Sequence, residues 1–262
     1  MGRGVPHGRV ERAAPPERVT ERERERFFQA NTVLHPVPHA PEIALHVADE
    51  AVALWQRTEE ELDAEGIAPP FWAFAWGGGQ GLARWVLDHP EAVRGRWVAD
   101  FASGSGLVAI AAAKAGAKNV EAYEIDPMGC TAIRLNARAN GLADGAIEVL
   151  GADVIGCSRE AIGPLDVLLV GDVHYDRAFA DAVTPWLERL AGEGVRVLVG
   201  DPGRAYFPRD REWREIARYE VETMRALEDA AIRSVGVYEV TPRSAPRDLG
   251  AGAGVASACC SG

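Results

Sequence analysis

What this chain lacks narrows its nature first. No uninterrupted apolar run reaches the ~18–20 residues that a membrane span requires, so no membrane partner is expected. The four cysteines, Cys130, Cys157 and the terminal pair Cys259–Cys260, show no CxxC spacing. Neither a zinc motif nor a disulfide framework is indicated, which suits a reducing cytoplasm, or the mitochondrial matrix in a eukaryotic source. Basic charge is scarce too: 28 Lys and Arg stand against 39 Asp and Glu, a formal net charge of −11. Nucleic-acid binding needs a basic patch and is not expected. Large apolar residues are nearly missing from both ends. Residues 1–26 and 241–262 cannot bury enough surface to offset ordering entropy, so both read as disordered tails. Glu11, Glu17, Glu21, Glu23 and Glu25 also break the acid-poor pattern of a transit peptide.

What is present, over 27–240, suits one domain: a lead-in and lid segment over 27–90, then a core over 91–240. From Arg96 the chain alternates short apolar runs with helical segments. Strands are expected at 96–101, 119–125, 146–152, 165–172 and 194–201, and helices at 106–116, 127–141 and 177–192. Near-continuous Val/Leu runs mean strands buried on both faces, and the βα rhythm gives a doubly wound, mostly parallel α/β sheet. After Asp201 the rhythm changes. Residues 208–217 look helical, then 218–224 and 232–240 form two strands joined too closely for a parallel crossover, so an antiparallel closing pair is expected. Residues 40–64 have helical spacing, with Ile43, Val47, Ala51 and Leu54 on one side.

The stretch "VADFASGSGLVAIA" sets Gly104 and Gly106 between a strand and a helix. Glycines there let the backbone approach a ligand, and the helix N-terminus offers free N–H groups. Glu124 lies 20 residues beyond Gly104, where a carboxylate can hold ribose hydroxyls. The glycine spacing alone fits NAD or S-adenosyl-L-methionine. Asp100 before the loop, Asp153 after the third strand, placed for an adenine amino group, and the antiparallel ending favour S-adenosyl-L-methionine. The result is a seven-stranded Rossmann-like sheet of the class I methyltransferase kind.

Two rim segments complete the reading. In "GDVHYD" (171–176), Asp172, His174 and Asp176 could ligate a metal or work as an acid–base device. No second cluster completes a metal shell, so no metal is assigned. In "GDPGRAYFPR", Asp201 and Arg204 fall beyond a strand end, where a substrate-contacting loop lies; a plain Asp–Arg surface pair is the structural alternative.

Five segments together, 69–90, 98–117, 124–141, 171–176 and 197–209, resemble the seven-strand protein-lysine methyltransferases, in particular the subgroup acting on the electron-transfer flavoprotein beta subunit. The resemblance covers about 27–240. It implies an S-adenosyl-L-methionine-dependent protein-lysine N-methyltransferase, a monomer whose partner is the electron-transfer flavoprotein beta subunit. The cofactor side it implies is Trp76, Asp100, Ala102, Ser103, Gly104, Gly106, Glu124, Ile125, Asp153 and Asp172. Ala102 stands for the first glycine of the usual motif. The family's acidic-x-x-Tyr motif falls on Asp172 and Tyr175, which implies catalytic positions orienting the incoming lysine. Trp76, His174, Asp201 and Arg204 are the expected substrate contacts, with His174 in the place of a more usual aromatic. A ribosomal-protein lysine, a small amine, or a nicotinamide-dependent oxidation are the alternatives.

Overall fold

The computed structural model describes residues 20–48, 70–223 and 232–242. The tail readings for 1–19 and 243–262, and the expected helix over 49–64, lie outside the described residues.

The chain opens with α1 (Glu21–Asn31), then a hairpin of β1 (Thr32–Val37) and β2 (Ala40–Ala48). A 3-10 turn over Phe71–Ala73 leads into α2 (Gly77–Asp88). The core then alternates β3 (Trp97–Phe101), α3 (Leu107–Lys114), β4 (Asn119–Tyr123), α4 (Pro127–Ala139) and β5 (Glu148–Leu150). A short α5 (Arg159–Ile162) precedes β6 (Val167–Gly171), α6 (Arg177–Gly192), β7 (Arg196–Asp201) and the last pair, β8 (Arg214–Glu222) and β9 (Ile232–Glu239).

These seven strands form one sheet in the order β5-β4-β3-β6-β7-β9-β8. The first five run parallel, and β9 is antiparallel to both β7 and β8. The expected fold class is therefore the observed one. Alternate positions feed different layers: Val98, Leu169 and Leu198 face α2, α3 and the hairpin, while Ala99, Leu168 and Val197 face α6. Burial on both faces is what a Val/Leu-rich parallel strand requires. The chain winds outward from β3 to β5, then back to β6 and β7. The carboxyl ends of β3 and β6 thus flank the topological switch point, where such sheets bind ligands.

Three expectations are corrected. Residues 40–48 form a strand, not a helix: Ile43 and Leu45 alternate into the core, and β1 pairs along the segment. The backbone groups of the hairpin edge are taken up by α4. Asn140 bonds the amide and carbonyl of Ala44, and Asn136 accepts the His46 amide. Tertiary pairing overrides an apolar spacing that fits a helix equally well. Residues 208–217 likewise make a single turn, closed by Arg211 N–H to the Pro208 carbonyl, and then enter β8. Trp213 is buried against Phe207 there, which a continuing helix would not allow.

The third correction is at the N-terminus. Residues 21–26, read as tail, are the first turns of α1, started by a capping box between Thr20 and Glu23. Glu21 and Glu25 pair with Arg134 and Arg138 of α4, and Phe28 is fully buried against Trp72. The exposed ion pairs contribute little; the buried Phe28 ring is what seats the helix.

Candidate active site

The loop between β3 and α3 bends through the left-handed region at Ala102, Gly104 and Gly106, with φ of 53°, 54° and 83°. Only glycine enters that region without strain, so Ala102 costs about 1–2 kcal/mol. A Cβ on Gly106 would lie 3.1 Å from Ile133, so this glycine lets α3 approach α4. At Gly104 the nearest atom to such a Cβ is the Phe71 carbonyl oxygen, at 4.0 Å, so the loop faces open space under the Phe71 segment.

Asp100 gives the loop its shape. Its carboxylate accepts from Ser103 Oγ at 2.6 Å and from the Ala109 amide at 2.9 Å, tying the loop to the first turn of α3. At 2% exposure it is turned away from the crevice. Burial pushes its pKa up to about 7, against the pull of the Ser103 and Ala109 hydrogen bonds, with the Glu124 charge adding to the rise. Asp100 and Ser103, expected on the cofactor side, bond each other in the loop itself.

Glu124, just past β4, bridges two segments. One oxygen accepts from the Gly104 amide and the other from the Asp126 amide, both at 2.8 Å. Gly129 makes room for it, since a Cβ there would lie 2.7 Å from Glu124 Cγ. Burial raises its pKa, and the Asp126 and Gly104 amides work against that shift. Beside it Ile125 is 71% exposed. Asp153 is exposed past β5, and its carboxylate accepts the Ile155 amide at 2.9 Å.

The far wall comes from three elements. Asp172 follows β6 with φ 57° and is 8% exposed. Its Oδ2 accepts from the Gly78 and Gly79 amides at the start of α2. Its Oδ1 accepts from Arg204 Nε and Nη2 at 2.8 and 2.7 Å. Arg204 also lies over the Trp76 ring, 5.6 Å from its centroid. Asp172, expected to orient the incoming lysine, turns its oxygens to a helix N-terminus and a guanidinium, an arrangement that fixes the wall.

His174 and Asp201, expected as substrate contacts, lie in the core instead of on the rim. Both are fully buried, 3.0 Å apart between Nδ1 and Oδ2, and cannot touch a substrate as placed. Asp201 Oδ1 accepts the Gly203 and Arg204 amides at 2.7 and 2.8 Å, closing the turn after β7. Asp176 caps α6 through the Phe179 amide. The three side chains once open to a metal reading thus face three different partners, and among the described residues no cluster is placed to hold a metal ion.

The rings that face the mouth are aromatic. Tyr175 is 47% exposed and lies 5.4 Å from Phe71, which in turn lies 6.0 Å from Trp76. Trp76 Nε1 donates to the Phe71 carbonyl, so that edge is fixed. Burial raises the Tyr175 pKa, with Asp176 and Glu124 adding to it, so the phenol keeps its proton. Sequence reasoning passed over Phe71. The aromatic density of "PPFWAFAWGGG" was the available signal, but nothing in it says which ring faces outward.

The residues fit a nucleoside ligand. An acid beyond β4 suits a diol, an exposed apolar side chain beside it suits a flat base, and a second acid beyond β5 suits an exocyclic amine.

Among known proteins, a family model described as "Ribosomal protein L11 methyltransferase (PrmA)" matches residues 86–169. The "Electron transfer flavoprotein beta subunit lysine methyltransferase" of Xenopus laevis is 35% identical over 231 residues, covering 87% of this chain and 91% of the relative. The protein of that name from Rattus norvegicus is 39% identical over 168 residues, and the match spans 64% of this chain and only 63% of the rat protein. The Homo sapiens protein is 36% identical over 183 residues, or 69% and 67% of the two chains.

Proposed function

This chain belongs to the electron transfer flavoprotein beta subunit lysine methyltransferase family, and from that membership we propose that it moves a methyl group from S-adenosyl-L-methionine to lysine side chains of that flavoprotein subunit. The observation that carries the reading to this site is the Glu124 carboxylate, set between Gly104 of the loop and Asp126 at the carboxyl end of β4. Family membership removes the nicotinamide alternative.

When bound, the cofactor supplies an electrophilic sulfonium methyl group. Glu124 would hold the ribose diol, Ile125 would supply the apolar platform for the base, and Asp153 would accept from its amino group. The acceptor enters between Tyr175, Phe71 and Trp76, whose ring faces suit a cationic approach. Transfer needs a neutral amine. A free lysine has a pKa of ~10.4, so neutralising it at pH 7 costs about 5 kcal/mol. Desolvation against the three rings offsets part of that cost, and no strong base is required. Tyr175, protonated at neutral pH, orients the amine through its hydroxyl. Asp172 holds the wall through Gly78 and Arg204.

The acidic balance of the chain supports a protein acceptor over a nucleic acid. Among the described residues no helix is long and apolar enough to cross a membrane. The free thiols of Cys130 and Cys157 support a reducing compartment, the cytoplasm or the mitochondrial matrix, and we read the protein as a monomer there.

The test is incubation of the purified protein with labelled methyl donor and a purified electron-transfer flavoprotein. Label on lysines of the beta subunit, lost with Glu124→Ala, is the expected result. A labelled ribosomal protein in a lysate, with the flavoprotein unlabelled, would overturn the assignment.

A further inference from the structure

One buried titratable side chain beside the site has no part in the chemistry above. His174 sits edge-on to Phe207, with centroids 5.4 Å apart, and tilted against Trp213 at 5.8 Å. Its Nε2 is buried with no hydrogen-bond partner among the described residues. Such a group is unfavourable in an apolar box unless its other nitrogen is needed. That nitrogen, Nδ1, faces the Asp201 carboxylate at 3.0 Å and donates to it. The second Asp201 oxygen accepts the Gly203 and Arg204 amides. Arg204 then reaches Asp172 at 2.8 Å and covers Trp76, and Asp172 accepts the Gly78 and Gly79 amides. A second tie runs from the Tyr206 amide to the His174 carbonyl at 3.1 Å.

We propose that His174 is a positioning residue: by holding Asp201 it sets the turn that aims Arg204 at Asp172, and so fixes the Trp76–Gly79 wall on the acceptor side. The effect on methyl transfer rests on the function proposed above; the positioning itself does not. The chain of contacts begins in the core and ends at an aromatic ring on the rim. It ties the ends of β6 and β7, which pair with each other as far as Gly171 and Gly200, to the first turn of α2.

His174→Phe keeps the apolar packing and removes the donor. His174→Asn places an amide N–H near the Nδ1 position and restores it. Amide hydrogen exchange read by mass spectrometry on the full chain follows residues 76–80 and 201–206, with β3 and β4 as internal reference. His174→Phe is expected to speed exchange in both segments by about ten-fold or more with the reference strands unchanged, and His174→Asn to stay near wild type. In the methylation assay, His174→Phe lowers kcat/KM for the protein acceptor by about ten-fold while cofactor affinity stays within about two-fold. Wild-type exchange in both segments of His174→Phe, or His174→Asn as fast as His174→Phe, would overturn the assignment. Should His174→Phe fail to fold, His174→Gln, whose amide reaches the Nε2 position instead, takes its place; wild-type exchange in that variant overturns the role, and faster exchange in both segments supports it. A wild-type protein that transfers no methyl group would remove the proposed function and leave the exchange result to decide the positioning.

Discussion

The Asp172 carboxylate accepts the backbone amide of Gly78, 94 residues earlier in the chain, and so joins the end of β6 to the first turn of α2. The approach is possible because neither backbone carries a side chain there. A Cβ on Gly78 would fall inside contact distance of the Gly200 carbonyl and 2.5 Å from Asp172 Oδ2, and a Cβ on Gly200 would meet Gly78 in the same way. Two glycines and one acid therefore make the joint between the sheet and the wall of the site.

That joint separates two neighbouring glycines. Gly78→Ala must push α2 off the sheet, at about 3 kcal/mol or more, the upper range for overpacking. Gly79→Ala meets nothing nearer than 3.8 Å, so it is neutral or gains up to ~1 kcal/mol from helix propensity. Urea midpoints at constant slope measure both. Equal midpoints for the two variants would mean that α2 is not pinned at Gly78.

Asp172 itself can be divided into charge and conformation. Its φ of 57° is one that Asn adopts more readily than Ala, which is strained there as Ala102 is. Asp172→Asn keeps the backbone and an acceptor but removes the charge that Arg204 meets there, while Asp172→Ala loses all three. Arg204 is 16% exposed and Asp172 8%, so water screens their pair only in part. The expected losses are about 2 kcal/mol for Asn and about 3–4 kcal/mol for Ala, toward the range for breaking a buried pair. Methyl transfer falls in the same order. Two variants with equal melting curves would remove the backbone contribution.

The parallel sheet was legible because strands buried on both faces leave continuous Val/Leu runs, as in Val167–Val170. The tight turn from Ala102 to Gly106 was legible because glycines at that spacing between a strand and a helix mark left-handed backbone, and Glu124, singled out by its spacing from Gly104, is bonded to that glycine's amide. Burial direction was not. Asp172, Asp201 and His174 lie beyond strand ends, where local sequence is the same for a side chain that faces the crevice and one that faces the core. Their partners, Gly78, Arg204 and Phe207, are remote in sequence. The strand at 40–48 was read as helix for a related reason: Ile43 and Val47 satisfy a helical spacing, and only pairing with β1 and the Asn136 and Asn140 side chains decides for a strand.

Asp100 predicts a pH dependence with a definite sign. Its folded pKa is raised to about 7 from 3.8, so the folded state binds the proton more tightly than the unfolded chain. The stability tied to this group is therefore fully present below pH 3.8 and is lost as pH rises through about 7. Asn at this position never ionises and can still accept from the Ser103 hydroxyl. The difference in unfolding free energy between Asp100→Asn and wild type should move in favour of the variant between pH 4 and pH 8, by on the order of 4 kcal/mol as an upper figure. Urea unfolding of both proteins across that range is the check. A difference that is flat with pH would mean that Asp100 titrates as an ordinary carboxylate.

The helix α1 offers a way to disturb the mouth without touching it. Thr20 accepts the Glu23 amide and Glu23 returns to the Thr20 backbone, so Thr20→Ala removes one cap at about 1 kcal/mol. That loss is local: proteolysis within residues 21–31 should quicken while the main unfolding transition stays put. Phe28→Ala goes deeper. The ring is fully buried and packs 4.7 Å from Trp72, the middle residue of the turn that presents Phe71 to the crevice. Its removal costs about 3–5 kcal/mol wherever the cavity cannot collapse, and it loosens the turn at Phe71–Ala73. Methyl transfer by Phe28→Ala should fall while Thr20→Ala keeps wild-type rates, measured with saturating donor. Equal rates for both variants would show that the turn holds its place without α1.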